Sequence, residues 1–329
     1  MLLSDTRARQ LMGFVLMPNF ALMSYASATE PLRAANMLAG LPLYEPVTLS
    51  PGGRPARSSS GVLVDCADLA ERGADCHTIF VCAGGDVADW GDPGGLHAAL
   101  RRFARQGIRI GGISSGAYIL AAAGLLENRD FTLHWEHAAI FQETFPHLQP
   151  RPARYVITGD RITCGGGVAP LDMMHRMISE RMGADFARRV SDWYLHTAVA
   201  EPTAAQRGSA AERFGTYHAA LLTVLEKMEA AIEQPLDRAT LARLGGVSPR
   251  HLDRLFAQEL GRGFLETYRL IRLHHARRLL EQSPLSISSI AFATGFSSAS
   301  HFSRACKAVL GQPPSAFRCK ETVTRSERV

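Results

Sequence analysis

The chain has 329 residues, which is long for one ordinary domain and comfortable for two, and 46% of them are hydrophobic. No run of about 18 uncharged apolar residues occurs, which excludes a typical membrane-spanning helix. The first ten residues lack the apolar run and the small-residue cleavage site of a signal peptide. We therefore expect a cytoplasmic protein with no membrane partner.

The net charge of +5 is concentrated near the C-terminus. From Glu212 onward the sequence has 17 Lys and Arg and 11 Asp and Glu, a net charge of +6. The preceding residues have 19 Lys and Arg and 20 Asp and Glu. A neutral body with a basic last third is typical of a polyanion binder, although a basic face is often merely solvated. The six cysteines form no CxxC pair and no metal-like spacing with histidine, so we predict free thiols and neither a metal nor a cofactor.

The first 200 residues alternate short apolar runs with segments of helical period. Strands are predicted at residues 11–17, 44–49, 78–83, 108–113, 155–158 and 161–164. Helices are predicted at 24–39, 96–106, 117–126, 136–145 and 170–182. This order favours an α/β domain over residues 1–200, with a flavodoxin-like, mostly parallel sheet covered by helices on both faces. Ligands of such sheets bind beyond the carboxyl ends of the strands.

A sharp turn follows the strand predicted at 108–113. Ser114 and Ser115 lead into Gly116 and a helix of small residues, the pattern of a nucleophile elbow. A serine nucleophile needs an adjacent general base with a third group to orient it. His134 could approach from another loop, but no third member is evident. The residues thus leave open a hydrolase that uses Ser114 and a ligand cradle that does no chemistry.

The run GGISSGAYILAAAGLLENRDFTLHWEH resembles the class I glutamine amidotransferase-like (ThiJ/PfpI) superfamily. In that superfamily the elbow residue is normally cysteine, and the hydrolases place histidine directly after it. Here Ser114 and Ser115 occupy those positions. An unassisted serine is inert where a cysteine would be partly thiolate, so the resemblance implies an effector-sensing domain that is not an enzyme. A glutamine amidotransferase-like hydrolase that uses Ser114 is the alternative.

The same resemblance implies a ligand site around the elbow. Glu30 is similar to the acidic residue that faces the elbow in the superfamily, although Arg33 is placed to pair with it. Backbone N–H groups of the elbow turn suit a carboxylate, and aromatic walls suit a cation. Phe20, Tyr25 and Trp135 are candidate walls, and each is more commonly a core residue. The predicted ligand-binding residues are Glu30, Gly84, Gly85, Ser114, Ser115, His134 and Trp135.

Residues 201–213 are small, polar and proline-broken, which predicts a linker, and residues 214–329 contain only helical patterns. A long helix is predicted from 214 to 234. An internal duplication follows, with copies at 241–261 and 290–311 joined by a helix predicted over 264–281. Each copy has an alanine that allows a close helix crossing, a glycine for the turn and a serine to cap the second helix. These are Ala242, Gly246 and Ser248, then Ala291, Gly295 and Ser297.

Each copy predicts a helix-turn-helix, whose second helix enters the major groove of DNA. The tandem spacing and the run GFSSASHFSRACKAVLGQPPSAFR resemble the AraC/XylS family over its DNA-binding domain, with Cys306 where phenylalanine is usual. Arginine suits guanine or a phosphate, whereas alanine and serine can contact thymine methyl groups. The resemblance implies six groove-facing residues, Arg250, Asp253, Arg254, Ala299, Ser300 and Arg304.

The two resemblances together are those of a known regulator architecture. The run MPNFALMSYASATEPLRAANMLAG is most similar to the branch that controls glycine betaine, carnitine and arginine catabolism. The resemblance implies a ligand-responsive transcriptional activator of the catabolism of a small nitrogenous metabolite. Its expected partners are double-stranded DNA, a small-molecule effector, RNA polymerase and a second copy of the chain. A DNA-binding protein with an inert dimerisation domain is the third hypothesis.

Overall fold

The computed structural model describes residues 8–318, so Cys319 lies outside the described residues. The chain divides into two compact units, with the division between Gln206 and Arg207. Each unit has its own hydrophobic core.

The first unit is built on a seven-stranded sheet of order β5-β2-β1-β6-β7-β9-β8. Every pair in it is parallel except β8 with β9, so the predicted mostly parallel sheet is confirmed. A separate two-stranded hairpin joins β3 and β4. The strands are β1 (Gln10–Leu16), β2 (Tyr44–Ser50), β3 (Ala56–Arg57), β4 (Leu63–Val64), β5 (Ala67–Asp68), β6 (Thr78–Ala83), β7 (Arg109–Ser114), β8 (Tyr155–Thr158) and β9 (Arg161–Cys164).

Helices cover both faces of this sheet. They are α1 (Leu22–Ala39), α2 (Leu69–Arg72), α3 (Leu96–Arg105), α4 (Gly116–Ala122), α5 (Ala138–Thr144), α6 (Ala169–Met182) and α7 (Ala184–Trp193). Successive strand residues point to opposite faces, so Phe14 joins one apolar cluster and Val15 the other. The central strand β6 is buried at every position because both faces are covered. The sequence does not predict α7, and α4 ends at Ala122, four residues before the predicted end at 126.

The second unit is helical. Its helices are α8 (Ala210–Phe214), α9 (Ala219–Ala230), α10 (Arg238–Leu244), α11 (Pro249–Leu260), α12 (Phe264–Gln282), α13 (Ile287–Ala293) and α14 (Ala299–Leu310). The helix predicted over 214–234 is wrong in extent, since Gly215 ends α8 at a φ of +69° and α9 begins only at Ala219. α8 begins inside the segment predicted as a linker. The helix predicted over 264–281 matches α12 to within one residue at its end.

Candidate functional site

Ser114 lies at a strained turn at the end of β7. Its φ is +59°, a left-handed conformation that a residue other than glycine rarely adopts, and its side chain is buried. The turn depends on close backbone approach. An alanine methyl at Gly116 would lie 2.0 Å from the carbonyl oxygen of Val81, and one at Gly112 would lie 2.6 Å from the amide nitrogen of Ala117. The chain therefore forms the predicted elbow, with Ser114 at its apex.

The loop after β9 joins this elbow to the start of α1. A side-chain carbon at Gly166 would lie 2.7 Å from Cβ of Ser114, so the loop backbone runs directly beside the elbow side chain. The next residue, Gly167, donates its N–H to Oγ of Ser24 at 2.8 Å. Ser24 is buried, and the sequence reasoning does not single it out. Its position two residues into α1, near the carboxyl end of β1, is the signal that could have found it.

Glu30 lies roughly one and two-thirds helical turns beyond Ser24. Its carboxylate accepts a hydrogen bond from Nε of Arg33 at 2.7 Å, and its side chain is 45% exposed. The hydroxyl of Tyr194 donates to its backbone carbonyl. Among the contacts of the described residues, none joins the Glu30 carboxylate to the elbow. Among the described hydrogen bonds, the one that joins an α1 side chain to the loop beside the elbow is made by Ser24, and the role predicted for Glu30 stays a prediction.

Ser115 is bonded to a histidine that the sequence reasoning passes over. Its Oγ lies 2.9 Å from Nδ1 of His137, and both side chains are buried. The edge of the His137 ring also meets Trp90, with ring centroids 4.8 Å apart. Burial, and secondarily the nearby His134, lowers the pKa of His137 to about 3, so this ring is neutral at neutral pH. The pair holds the first turn of α4 against residues 134–137.

The remaining predicted site residues lie on neighbouring loops. Gly84, directly after β6, packs on the loop before α1, since a methyl there would lie 2.9 Å from the carbonyl oxygen of Asn19. Gly85 follows it with a φ of +68°. The rings of His134 and Trp135 lie 5.5 Å apart and are half-buried. The carboxyl edge of the sheet thus brings together the loops that carry the elbow, the two glycines and residues 134–135.

The expected aromatic walls are only partly available. Phe20 is fully buried in the core, and its ring packs nearly perpendicular to that of Tyr25 with the ring centroids 5.8 Å apart. Burial is the main cause that raises the pKa of Tyr25 to about 12. Tyr25 and Trp135 are both half-buried, and the Trp135 ring lies beside that of His134, another predicted site residue. Within residues 8–318, no group of three His, Cys, Asp or Glu side chains could hold a metal ion, and the five described cysteines are free thiols.

The hydrogen bonds around Ser114 bear on whether it has a catalytic base. A serine nucleophile requires a hydrogen-bonded general base. No described histidine or carboxylate side chain hydrogen-bonds to Ser114, and the serine that does contact histidine, Ser115, is fully buried. Among the described residues, the elbow serine therefore has no hydrogen-bonded general base.

In the second unit, α10 with α11 and α13 with α14 form the two predicted helix-turn-helix motifs. The turns contain Gly246 at a φ of +68° and Gly295 at +72°. Oγ of Ser248 caps α11 by accepting the N–H of His251 at 3.2 Å. For α14 the prediction of Ser297 is wrong by one residue, because Ser298 is the cap and accepts the N–H of His301 at 3.2 Å.

The second helix of each motif has one buried and one exposed face. The buried faces carry Leu252, Leu255 and Phe256 in α11 and Phe302, Ala305 and Cys306 in α14. Cys306 fills the position where phenylalanine is usual and is fully buried. Four predicted DNA contacts are exposed, namely Arg250, Arg254, Ser300 and Arg304.

The other two predicted contacts are less open. Ala299, the first residue of α14, is half-buried. Asp253 forms an ion pair with Arg238 of α10, with 2.7 Å between Oδ2 and Nη1. The Asp253 carboxylate therefore links the two helices of the first motif.

The paired motifs and the elbow domain define a class of protein, the helix-turn-helix transcriptional regulators. Residues 241–320 match the Helix-turn-helix domain family and residues 14–180 match the DJ-1/PfpI family. The chain is 69% identical to the HTH-type transcriptional regulator GlxA of Rhizobium meliloti (strain 1021), over 96% of this chain and 97% of that protein. It is 37% identical to the HTH-type transcriptional regulator GbdR of Pseudomonas aeruginosa (strain UCBPP-PA14), over 94% and 84%. The chain belongs to the AraC/XylS family of regulators, in the group with an N-terminal DJ-1/PfpI domain.

A solved structure supports the fold of the first unit. The AraC family transcriptional regulator from Pseudomonas putida superposes with a TM-score of 0.52 at 24% identity, over 56% of this chain and 99% of that one. Over residues 8–318, no helix is both long enough and apolar enough to cross a membrane.

Proposed function

We propose that this regulator acts in the cytoplasm as a homodimer that binds double-stranded DNA through α11 and α14. In this proposal a small nitrogenous metabolite binds at the elbow, and the bound form recruits RNA polymerase to genes for the catabolism of that metabolite. The DNA-binding part of the proposal depends on the exposed faces of α11 and α14, here called the recognition faces, which carry Arg250, Arg254, Ser300 and Arg304. The opposite face of each helix is buried. The elbow without a catalytic base supports the sensing part.

The charge of the recognition faces suits DNA. Arg250, Arg254 and Arg304 are exposed and, within residues 8–318, have no ion-pair partner among the described side chains. An arginine free of internal partners can contact guanine through two hydrogen bonds or neutralise a phosphate. Asp253 is engaged by Arg238, so we assign it to fixing the motif rather than to reading a base.

We expect Arg250→Ala and Arg304→Ala each to weaken operator binding by roughly 1–3 kcal/mol, because each removes a cationic donor from a groove-facing helix. The measurement is fluorescence anisotropy at fixed salt, with the full chain and an operator selected from random duplexes. Arg105→Ala, an equal change of charge on exposed α3 of the first unit, is the control.

Operator variants then separate the two kinds of contact. A loss confined to one base pair indicates that the arginine reads that base, whereas a uniform loss with a smaller salt slope indicates a phosphate contact. Affinity unchanged in both variants, or lowered equally in Arg105→Ala, would contradict the proposed interface.

The proposed effector is a small zwitterion such as glycine betaine, carnitine or an amino acid. The half-buried Trp135 ring beside His134 suits a cationic nitrogen, and the polar elbow around Ser114 suits the carboxylate. In this proposal Gly84, Gly85 and Ser115 contribute backbone groups to the site. Glu30 takes a smaller part in this proposal, because Arg33 already neutralises its carboxylate.

We expect Ser114→Ala to weaken effector binding by roughly fivefold, since it removes one hydrogen-bonding hydroxyl from the proposed site. Glu30→Gln is expected to have a smaller effect. Calorimetric titration of the full chain with glycine betaine, carnitine and arginine measures both variants against the wild type. A larger loss in Glu30→Gln, selective for cationic ligands, would show instead that Glu30 binds the cationic nitrogen. Amide or ester turnover that disappears in Ser114→Ala would establish the hydrolase instead.

A further inference from the structure

Residues 196–206, here called the exit segment, form the last part of the first unit. A buried carboxylate on α6 holds the beginning of this segment. Asp172, whose side chain is fully buried, accepts hydrogen bonds from Nε2 of His196 at 2.8 Å and from the N–H of Ala200 at 2.9 Å. Its other oxygen pairs with Nη2 of Arg154 at 2.7 Å. Because removing partners from a buried charge is costly, this end of the exit segment is firmly held.

Arg154 also connects the exit segment to the elbow through its backbone. Its N–H donates to the carbonyl of Pro202 at 2.8 Å, and its own carbonyl accepts the N–H of Gly165 at 2.8 Å. Gly165 begins the loop after β9, whose next residue, Gly166, lies beside Ser114. One residue therefore contacts both the exit segment and the loop that borders the elbow.

Gln206 ends the exit segment with its amide inside the first unit. Its Nε2 lies within hydrogen-bond distance of Oγ1 of Thr132 at 3.0 Å and of the carbonyls of Leu133 at 2.9 Å and Ala153 at 2.6 Å. Its Oε1 accepts the N–H of Trp135 at 2.9 Å. Both the nitrogen and the oxygen of the amide are thus hydrogen-bonded to backbone or hydroxyl groups of residues 132–135 and Ala153.

The groups that surround the Gln206 amide form a slot, here defined by residues 132–135, Ala153 and Gly165, and Gly165 is its remaining wall. A side-chain carbon on it would lie 2.6 Å from Cδ, 2.7 Å from Nε2 and 2.8 Å from Oε1 of Gln206. The φ of Gly165 is outside the left-handed region, so its backbone would accept alanine. The obstacle to a methyl group there is the Gln206 amide itself, which makes the pair suitable for a steric test.

We propose that Gln206 is a positioning residue that couples the elbow to the start of the second unit. The slot for its amide is built from residues 132–135 and from the loop after β9. That loop borders Ser114 through Gly166, and His137, two residues beyond Trp135, is bonded to Ser115. A ligand that shifts Trp135 or that loop changes the slot, and with it the hold on the chain directly before Arg207. This inference rests on the proposed binding of an effector at the elbow.

The test is a double-mutant cycle on the full chain, read by trypsin cleavage after Arg207. Gln206→Ala removes the amide, and Gly165→Ala drives it from the slot, so each is expected to accelerate cleavage roughly tenfold. The double variant is expected to cleave no faster than Gln206→Ala, because the methyl group then meets no amide. Gln142→Ala, at an exposed position of α5, is the control and is expected to match the wild type.

Additive effects in the cycle, or wild-type cleavage rates in both single variants, would show that the Gln206 amide does not hold the exit segment. A ligand arm uses glycine betaine at saturation, expected to change cleavage after Arg207 at least about threefold in the wild type and not in Gln206→Ala. Betaine that binds by calorimetry but leaves wild-type cleavage unchanged would overturn the coupling. If glycine betaine, carnitine and arginine all fail to bind, the effector proposal fails, and the steric cycle alone decides whether Gln206 holds the exit segment.

Discussion

Phe302→Ala is expected to lower the free energy of unfolding of the second unit by about 3–5 kcal/mol and to abolish specific DNA binding. Phe302 is fully buried beneath α14, and its ring lies 5.2 Å from that of Phe296, the aromatic that follows the turn of the second motif. Truncation leaves a cavity under the recognition helix, and the small Cys306 beside it cannot fill the space. The loss is comparable to the whole stability of a small domain.

Urea denaturation followed by circular dichroism, together with operator anisotropy, measures both effects. Phe292→Ala is the matched control, because Phe292 lies on α13 of the same motif with 57% of its surface exposed. We expect that variant to keep nearly wild-type stability. Equal destabilisation by the two substitutions, or retained operator binding by Phe302→Ala, would contradict the packing described here.

Acid is expected to destabilise the first unit through His137. The pKa of this histidine is lowered from 6.5 to about 3 in the folded chain. Above pH 6.5 neither state binds the proton; as the pH falls below that value, the unfolded state becomes protonated while the buried ring does not. The contribution of His137 to the free energy of unfolding is therefore complete above pH 6.5. As the pH falls from 6.5 towards 3, this contribution decreases by about 1.4 kcal/mol per pH unit.

His137→Gln removes this titration and is expected to flatten the pH dependence of unfolding by about one proton. Urea titrations between pH 7 and about pH 4, followed by tryptophan fluorescence, provide the measurement. The three tryptophans lie in the first unit, so the signal reports on that unit. His134 and His175, whose pKa values are also lowered by burial, leave a residual slope in the variant. An unchanged slope would place the buried ring of His137 in contact with solvent.

The Ser115–His137 pair also bears on the choice between sensor and enzyme. A serine hydrogen-bonded to a neutral imidazole is the nucleophile–base pair of a serine hydrolase. Such a pair beside an elbow would by itself favour the hydrolase. Ser115 is fully buried, however, and the apical Ser114 is bonded to no described base. The histidine therefore holds the first turn of α4 in place, which is compatible with the sensing role that we propose.

The sequence by itself determined most of the long elements and their order, although it did not predict α7 or the short strands β3, β4 and β5. Strands and helices repeat with fixed periods, so apolar spacing locates β6 at its observed bounds and α12 to within one residue. The duplicated glycine and serine spacing identified both helix-turn-helix motifs, and the glycines around Ser114 identified the elbow, because turns depend on neighbouring residues in the chain. Charge and spacing together indicated DNA binding, and the resemblance to the AraC/XylS family implied the role of a regulator.

Only the tertiary structure decided which side chains meet. Ser115 and His137 are 22 residues apart, Trp135 and Gln206 are 71 apart, and Ser24 and Gly167 are 143 apart. No local period relates such partners; parallel strands bring them together by ending at one edge of the sheet. The same holds along α1. Ser24, in its first turn, accepts a hydrogen bond from the loop after β9, whereas Glu30, further along the helix, pairs with its own neighbour, Arg33.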